Sequence, residues 1–201
     1  VSLWGGIGLR LGGDRDALEG IIHGIQDQIY GLAIRMLWHP EDAEDATQEI
    51  LVKIVTRLGS FRGESAFTKW CYRIACNHLL TTRKRRAERF EMSFERFEKD
   101  VVTGLTYAES SLPVEPEQDL LAKEVMVACI QGVLLCLDRR QRVAFILGVV
   151  YEMDGNRGAH VLGITPEAYR KRLSRAKTLL RGFLTKRCGL VNESNPCRCR
   201  R

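Results

Sequence analysis

Apolar residues recur at three- and four-residue steps near the start of the chain. Leu18, Ile21, Ile22, Ile25, Ile29, Leu32 and Met36 make one continuous stripe, the signature of an amphipathic helix. His39-Pro40 should end that helix. A second is predicted from Asp42 to Leu58, with Ala43, Ala46, Ile50, Ile54 and Leu58 facing inward. The run Gly59-Ser60-Phe61-Arg62-Gly63-Glu64-Ser65 is rich in helix breakers and predicts a loop. A third helix follows from Phe67 to about Thr82. Its buried candidates are Phe67, Trp70, Ile74 and Leu79, and it runs into the cluster Arg83-Lys84-Arg85-Arg86.

The pattern then changes. Between Glu91 and Asp119 there are eight acidic and two basic residues, with Gly104, Ser110, Ser111, Pro113 and Pro116. No sustained period is visible after Phe97, so this stretch predicts a linker. Periodicity returns from about Leu120, where Leu121, Val125, Cys129, Val133 and Leu137 suggest one helix. Asp138 is a plausible N-cap for another, Arg139 to Tyr151. A turn at Asp154-Gly155 leads to Arg157–Leu162, then Gly163, then a helix from Pro166 to about Thr185.

The last two segments point to chemistry. Thr165 can cap the final helix, and Pro166 suits its first turn, where a missing N–H costs nothing. Tyr169, Leu173, Ala176 and Leu180 make the buried stripe, which leaves Arg170, Lys171, Ser174, Arg175 and Lys177 outside. A capped helix after a glycine turn, with a cationic outer face, is the shape of a helix-turn-helix reader of the major groove. A solvated basic face on an ordinary bundle helix is the competing reading. The first half adds an independent cue: Lys69, Arg73, Asn77 and Thr81 are spaced by four on one helix face, beside a loop flanked by Phe61 and Phe67. Cations hold phosphate, rings stack on unpaired bases and an amide reads a base edge, which suits melted DNA better than intact duplex. A formal net charge of +6 agrees with an anionic partner.

These segments together resemble a known family. Asp42-Ala43-Glu44-Asp45-Ala46-Thr47-Gln48-Glu49-Ile50, then Phe61-Arg62-Gly63-Glu64-Ser65-Ala66-Phe67-Thr68-Lys69-Trp70, then Tyr72-Arg73-Ile74-Ala75-Cys76-Asn77 resemble the sigma-two domain of extracytoplasmic-function (ECF) RNA polymerase sigma factors. Leu137 to Leu180 resembles their sigma-four domain, with Leu162-Gly163-Ile164 at the turn and Lys171-Arg172-Leu173-Ser174-Arg175-Ala176 in the recognition helix. The resemblance implies an all-α fold of two small helical domains. These are a sigma-two-like bundle over 14–90 and a sigma-four-like helix-turn-helix over 119–187, joined by an acidic linker over 91–118, with tails at 1–13 and 188–201.

It also implies roles. Asp42, Asp45, Gln48 and Glu49 fall where the family grips the β′ clamp helices of core polymerase. Phe61, Arg62, Phe67, Lys69, Arg73, Asn77, Arg83, Arg85 and Arg86 fall at the minus-ten element, and Thr165, Arg170, Lys171, Ser174, Arg175 and Lys177 at the minus-thirty-five element. The implied partners are core polymerase, promoter DNA and an anti-sigma factor, in the cytoplasm and without membrane insertion. An autonomous helix-turn-helix repressor or activator is the alternative. It accounts for the second half but not for the acidic helix or the Phe/Asn set.

Two features depart from the family. Where the first helix of the helix-turn-helix has a Glu-Ile-Ala-like segment, this chain has Arg157-Gly158-Ala159-His160-Val161. Gly costs about 1 kcal/mol in a helix interior relative to Ala, so that helix should be short or tightly packed. The second departure is the tail, where Cys188, Cys197 and Cys199 are spaced C-x8-C-x-C. No cofactor is required for the family's role. Those soft donors would take zinc or copper(I), with His160 as a fourth ligand only if the fold brings it near, or would act as redox thiols. Seven cysteines, an odd number, suggest reduced thiols, with Cys71, Cys76, Cys129 and Cys136 as small core residues. No G-x-x-x-x-G-K-[ST] or H-E-x-x-H occurs, and the four histidines share no ligand spacing, so no enzyme activity is expected.

Overall fold

The computed structural model describes residues 15–63, 66–83, 92–108, 118–195 and 197, and among these there is no strand. The helices are α1 (Arg15–Leu37), α2 (Pro40–Thr56), α3 (Phe67–Thr81), α4 (Phe94–Ala108), α5 (Gln118–Leu135), α6 (Arg139–Phe145), α7 (Gly155–Leu162) and α8 (Pro166–Arg187), with a 3-10 turn at Leu58–Ser60. The all-α class read from periodicity is what the chain adopts. Trp38 ends α1 in the left-handed region (φ 57°), turning the chain into α2. The first helix ends just before His39-Pro40, as expected, and Pro40 also starts the next one at its first position, where its missing N–H is not needed.

The expected linker is partly helical. α4 packs Phe97, with Phe94 and Val101, against Val133, Leu134 and Leu137 and against Ala176 and Leu180 of α8. The Phe183 ring lies 5.6 Å from that of Phe94 and 5.7 Å from that of Phe97. Gly132 makes this possible, since a Cβ there would lie 2.4 Å from the Phe97 ring. Arg187 pairs with Glu98 at the same corner. Phe94, Phe97 and Val101 sit at i, i+3 and i+7, and Glu95 and Asp100 between them are exposed. α5 also differs from its expected stripe: Val133 and Leu137 are buried, but Val125 is 52% exposed.

The remaining apolar residues form one core. It runs from Ile25, Ile29, Leu32 and Met36 of α1 through α2 and α3 to Val143, Ile146, Leu147, Val161, Leu162 and Tyr169 of the second half. The two helical units therefore meet across shared apolar surface. Arg142 sits at their junction, 3% exposed. Its guanidinium donates to Leu134 O at 3.0 Å, Leu135 O at 3.2 Å and Leu137 O at 3.0 Å, and across the junction to Met36 O. These are carbonyls at or just past the C-terminal ends of α5 and α1, where backbone acceptors lack intrahelical donors and the helix dipoles are negative. Nearby, Arg139 donates to Thr82 O at 2.5 Å and Arg83 O at 3.2 Å, tying α6 to the end of α3.

Tyr169 organises the second half. It is fully buried and its hydroxyl donates to Ala144 O at 3.2 Å. A Cβ on Gly158 would lie 2.2 Å from its ring, and one on Gly148 would lie 2.8 Å from its hydroxyl. The glycine that departs from the family pattern thus clears space for a tyrosine, and α7 is both short and tightly packed, as expected. Gly148 lies in a π-helical turn, Ile146–Val150, which interrupts the helix expected to run to Tyr151.

Two outcomes test this packing. Gly158→Ala should gain about 1 kcal/mol of helix propensity but lose more by overpacking, for a net destabilisation of about 1–2 kcal/mol in urea unfolding. Arg142→Ala removes the guanidinium from four carbonyls, of which Leu134 O keeps the Leu137 N–H, and should cost about 3 kcal/mol or more, read in the same measurement.

Candidate functional site

Four groups of predicted residues can be placed. The first is on α2. Asp45 and Gln48 are exposed on its outer face. Glu49 is half exposed and pairs with His78 Nε2 of α3 at 3.2 Å, while Lys53 Nζ lies 2.5 Å from His78 Nδ1. Asp42 departs from its expected role: it is only 4% exposed. It lies in the first turn of α2 beside Glu41, where a carboxylate complements the positive helix end. A partner docking on this face would meet Asp45 and Gln48 before Asp42.

The second group surrounds the loop into α3. Phe61, Phe67 and Trp70 form an aromatic trio with centroids 5.4–5.7 Å apart. Phe67 is 3% exposed and belongs to the core, which corrects its expected place on the DNA face. It backs Phe61, which is half-buried and can present a ring edge outward. Arg62 is exposed, and Gly63 turns the loop at φ 73°.

On α3 itself Arg73, Asn77 and Thr81 are exposed, Lys69 is half-buried, and Arg83 is exposed just past the helix. Arg85 and Arg86 lie outside the described residues. The Arg73 guanidinium reaches to within 3.4 Å of where a Cβ on Gly163 would stand. Lys69 contributes to the field that holds the Asp154 carboxyl below its usual range, after the larger effect of the Arg157 backbone N–H. The α3 cationic face therefore abuts α7 and its turn.

The third group is the helix-turn-helix. Asp154 caps α7, accepting from the Asn156 and Arg157 N–H groups, each at 2.9 Å. Gly163 ends α7 in the left-handed region, at φ 63° and ψ 37°, a conformation glycine adopts without strain. Thr165 caps α8, its hydroxyl accepting from Ala168 N–H at 3.2 Å, with Pro166 in the first turn. The start and rotation of α8 are thereby set, and Arg170, Lys171, Ser174, Arg175 and Lys177 are all exposed, as is Thr165. A shallow groove runs along this face past Arg170, Ser174 and Lys177 to Arg181 and Lys186. The last two were missed from sequence. The four-residue step from Lys177 to Arg181 is the signal that would have found Arg181.

The fourth group is the tail. Cys188 and Cys197 are half-buried, and Cys199 lies outside the described residues. His160, weighed as a fourth ligand, is exposed on α7. Cys71 and Cys76 are buried in the core, and burial pushes both thiols up to about 12. No helix among the described residues is long and apolar enough to cross a membrane.

Residues 21–89 match the Sigma-70 region 2 family. The RNA polymerase sigma-H factor of Pseudomonas aeruginosa is 42% identical over 65 residues, about a third of each protein: 32% of this chain and 34% of that one. The similarity to the ECF RNA polymerase sigma factor SigW of Bacillus subtilis is longer, 26% identity over 84% of this chain and 89% of SigW. RNA polymerase sigma factor YlaC of the same organism is 28% identical over 86% of this chain and 94% of its own length. Among solved structures, CnrH, in complex with the cytosolic domain of CnrY, shares the fold at a TM-score of 0.60 and 21% identity, over 86% of this chain and 90% of that one. Near-full-length similarity joins the α2–α3 unit to the helix-turn-helix in the order found here, and over that length the chain is similar to the ECF group of RNA polymerase sigma factors.

Proposed function

We propose that this sigma factor docks on core polymerase through the outer face of α2, engages the minus-ten element with the Phe61 loop and α3, and reads the minus-thirty-five element with α8. The observation that carries this is the helix-turn-helix. Two capped helix starts and a left-handed glycine aim a row of exposed cations outward, while Tyr169 fixes the opposite face. Reaction chemistry belongs to the polymerase. An anti-sigma partner is part of the reading, supported by RpoE of Bartonella quintana, a fold relative (TM-score 0.54) whose structure was solved with the anti-sigma factor NepR.

The two DNA-facing surfaces do not form one platform in this conformation, because Arg73 lies against the Gly163 turn. Simultaneous use of both promoter elements requires the α3–α7 contact to part. Core polymerase, gripping α2 from the other side, is the partner that would hold the halves open.

Run-off transcription with purified core polymerase on promoter fragments tests the reading as a whole. Template-specific transcripts dependent on this chain are expected, and their absence alongside tight binding to duplex DNA alone would favour the repressor alternative. Within that assay, Asp45→Lys with Gln48→Lys should lower core affinity by about tenfold or more, with helicity unchanged by circular dichroism. Unaltered core affinity would remove α2 as the docking face.

Alanine substitution of Arg170, Lys171 and Arg175 separates two kinds of contact. Loss of a bidentate base contact should cost about 1–3 kcal/mol of discrimination at one promoter position. Loss of a phosphate contact should weaken all sequences alike and reduce the salt slope by about 1. Variants with the parent's preference and slope would exclude this face.

A further inference from the structure

His78 is a buried polar residue that neither the apolar core nor the DNA face accounts for. It follows the exposed Asn77 on α3, but its side chain reaches α2 and is 5% exposed. An imidazole so enclosed needs partners for its ring nitrogens. Two residues of α2, one turn apart, face them. Lys53 Nζ lies 2.5 Å from Nδ1. Glu49 Oε2 lies 3.2 Å from Nε2, which is itself buried.

The chemistry of these two partners fixes the ring. An ammonium has three donors and no acceptor, so Nδ1 must accept from Lys53. The neutral imidazole then carries its one proton on Nε2, and that proton faces the Glu49 carboxylate. A rigid ring, held from one side by Lys53, thus offers a donor to a carboxylate on the other. Glu49 differs from its two neighbours in the relay. Its side chain is 49% exposed, and it shares the outer face of α2 with the exposed Asp45 and Gln48. A long carboxylate at a helix surface ordinarily samples several rotamers. Ordering such a side chain on binding costs about two- to tenfold in affinity.

We propose that His78 is a positioning residue for core polymerase docking: held by Lys53, it fixes the Glu49 carboxylate on the outer face of α2 before the partner arrives. This rests on the α2 docking proposed above and adds to it a residue that touches no partner. His78 acts only through Glu49, so its contribution to docking exists only while that carboxylate is present.

The test is a double-mutant cycle on core affinity, measured with purified core polymerase and the full chain. His78→Leu fills the site and removes both ring nitrogens, and it should weaken core binding by about three- to tenfold. In a Glu49→Ala background the same change should have no further effect, whereas a merely structural role would weaken both backgrounds alike. His78→Gln, whose amide nitrogen stands in for ring Nε2, should stay within about twofold of the parent. Should His78→Leu fail to fold by circular dichroism, Lys53→Met takes its place in the cycle with the same expected pattern, because it removes the donor that fixes the ring. Without polymerase, proton–nitrogen NMR of nitrogen-labelled histidine at mildly alkaline pH should show His78 with a bare Nδ1 and a protonated Nε2. Its signal is identified by its loss in His78→Gln. Equal losses in the two Glu49 backgrounds, a folded His78→Leu with the parent's core affinity, a His78→Gln as weak as His78→Leu, or a proton on Nδ1 each overturns the role. Asp45→Lys with Gln48→Lys separates this inference from the docking it rests on. If that pair leaves core affinity unaltered, the docking face and the role of His78 fall together. If the pair weakens core binding and the His78 variants do not, the role of His78 falls alone.

Discussion

A buried guanidinium holds the two halves of this protein together. Arg142 is buried, and a charge so enclosed is tolerable only where acceptors surround it. The end of α5 supplies three carbonyls and the end of α1 a fourth. Leu134 O also accepts from Leu137 N–H at 3.2 Å, and the guanidinium adds donors at helix ends where backbone acceptors run short of them. It also sets geometry. α6 begins at Arg139 with Asp138 as its cap, the Asp138 carboxylate accepting from Gln141 N–H at 2.8 Å, and Arg142 then falls one turn in, aimed at both helix ends. The positions of α7 and α8 follow from α6 through Tyr169.

The glycines around Tyr169 show how one large side chain can determine the sequence near it. Gly158 would be a poor choice in a free helix, where it costs roughly 1 kcal/mol. Against a ring 2.2 Å from its would-be Cβ, no other residue fits without movement. Gly148, in the π-helical turn, is constrained by the same side chain, since a Cβ there would lie 2.8 Å from the Tyr169 hydroxyl. With Tyr169 locked in place, the exposed cations of α8 have a defined rotation, which a base-reading helix needs.

The same packing that defines each surface also occupies one of them. Arg73 serves the α3 face in the sigma-factor reading, yet here it leans on the helix-turn-helix. The shared core between α1–α3 and α6–α8 is apolar and continuous, so separating the halves exposes surface that a partner must cover. Binding to a large partner would offset that exposure, and in the function proposed above it would link polymerase docking on α2 to DNA access on α3 and α8.

Local chemistry already determined much of this in the chain itself. The three- and four-residue apolar steps specified α1, α2 and α3. Thr165, Pro166 and Gly163 specified the turn of the helix-turn-helix, because caps, proline and left-handed glycine act within a few residues of where they stand. The exposed row on α8 followed from its buried stripe. Only tertiary structure decided matters that depend on distant partners. Phe97 and Val101 looked like part of an acidic linker until Gly132 and Phe183 gave them a surface to cover. Phe67 and Asp42 read as partner-facing from motif position, and burial turned them inward. Arg142 was one arginine among many. Its significance lies in which carbonyls the fold brings to it, and no local pattern encodes contacts between residues so far apart along the chain.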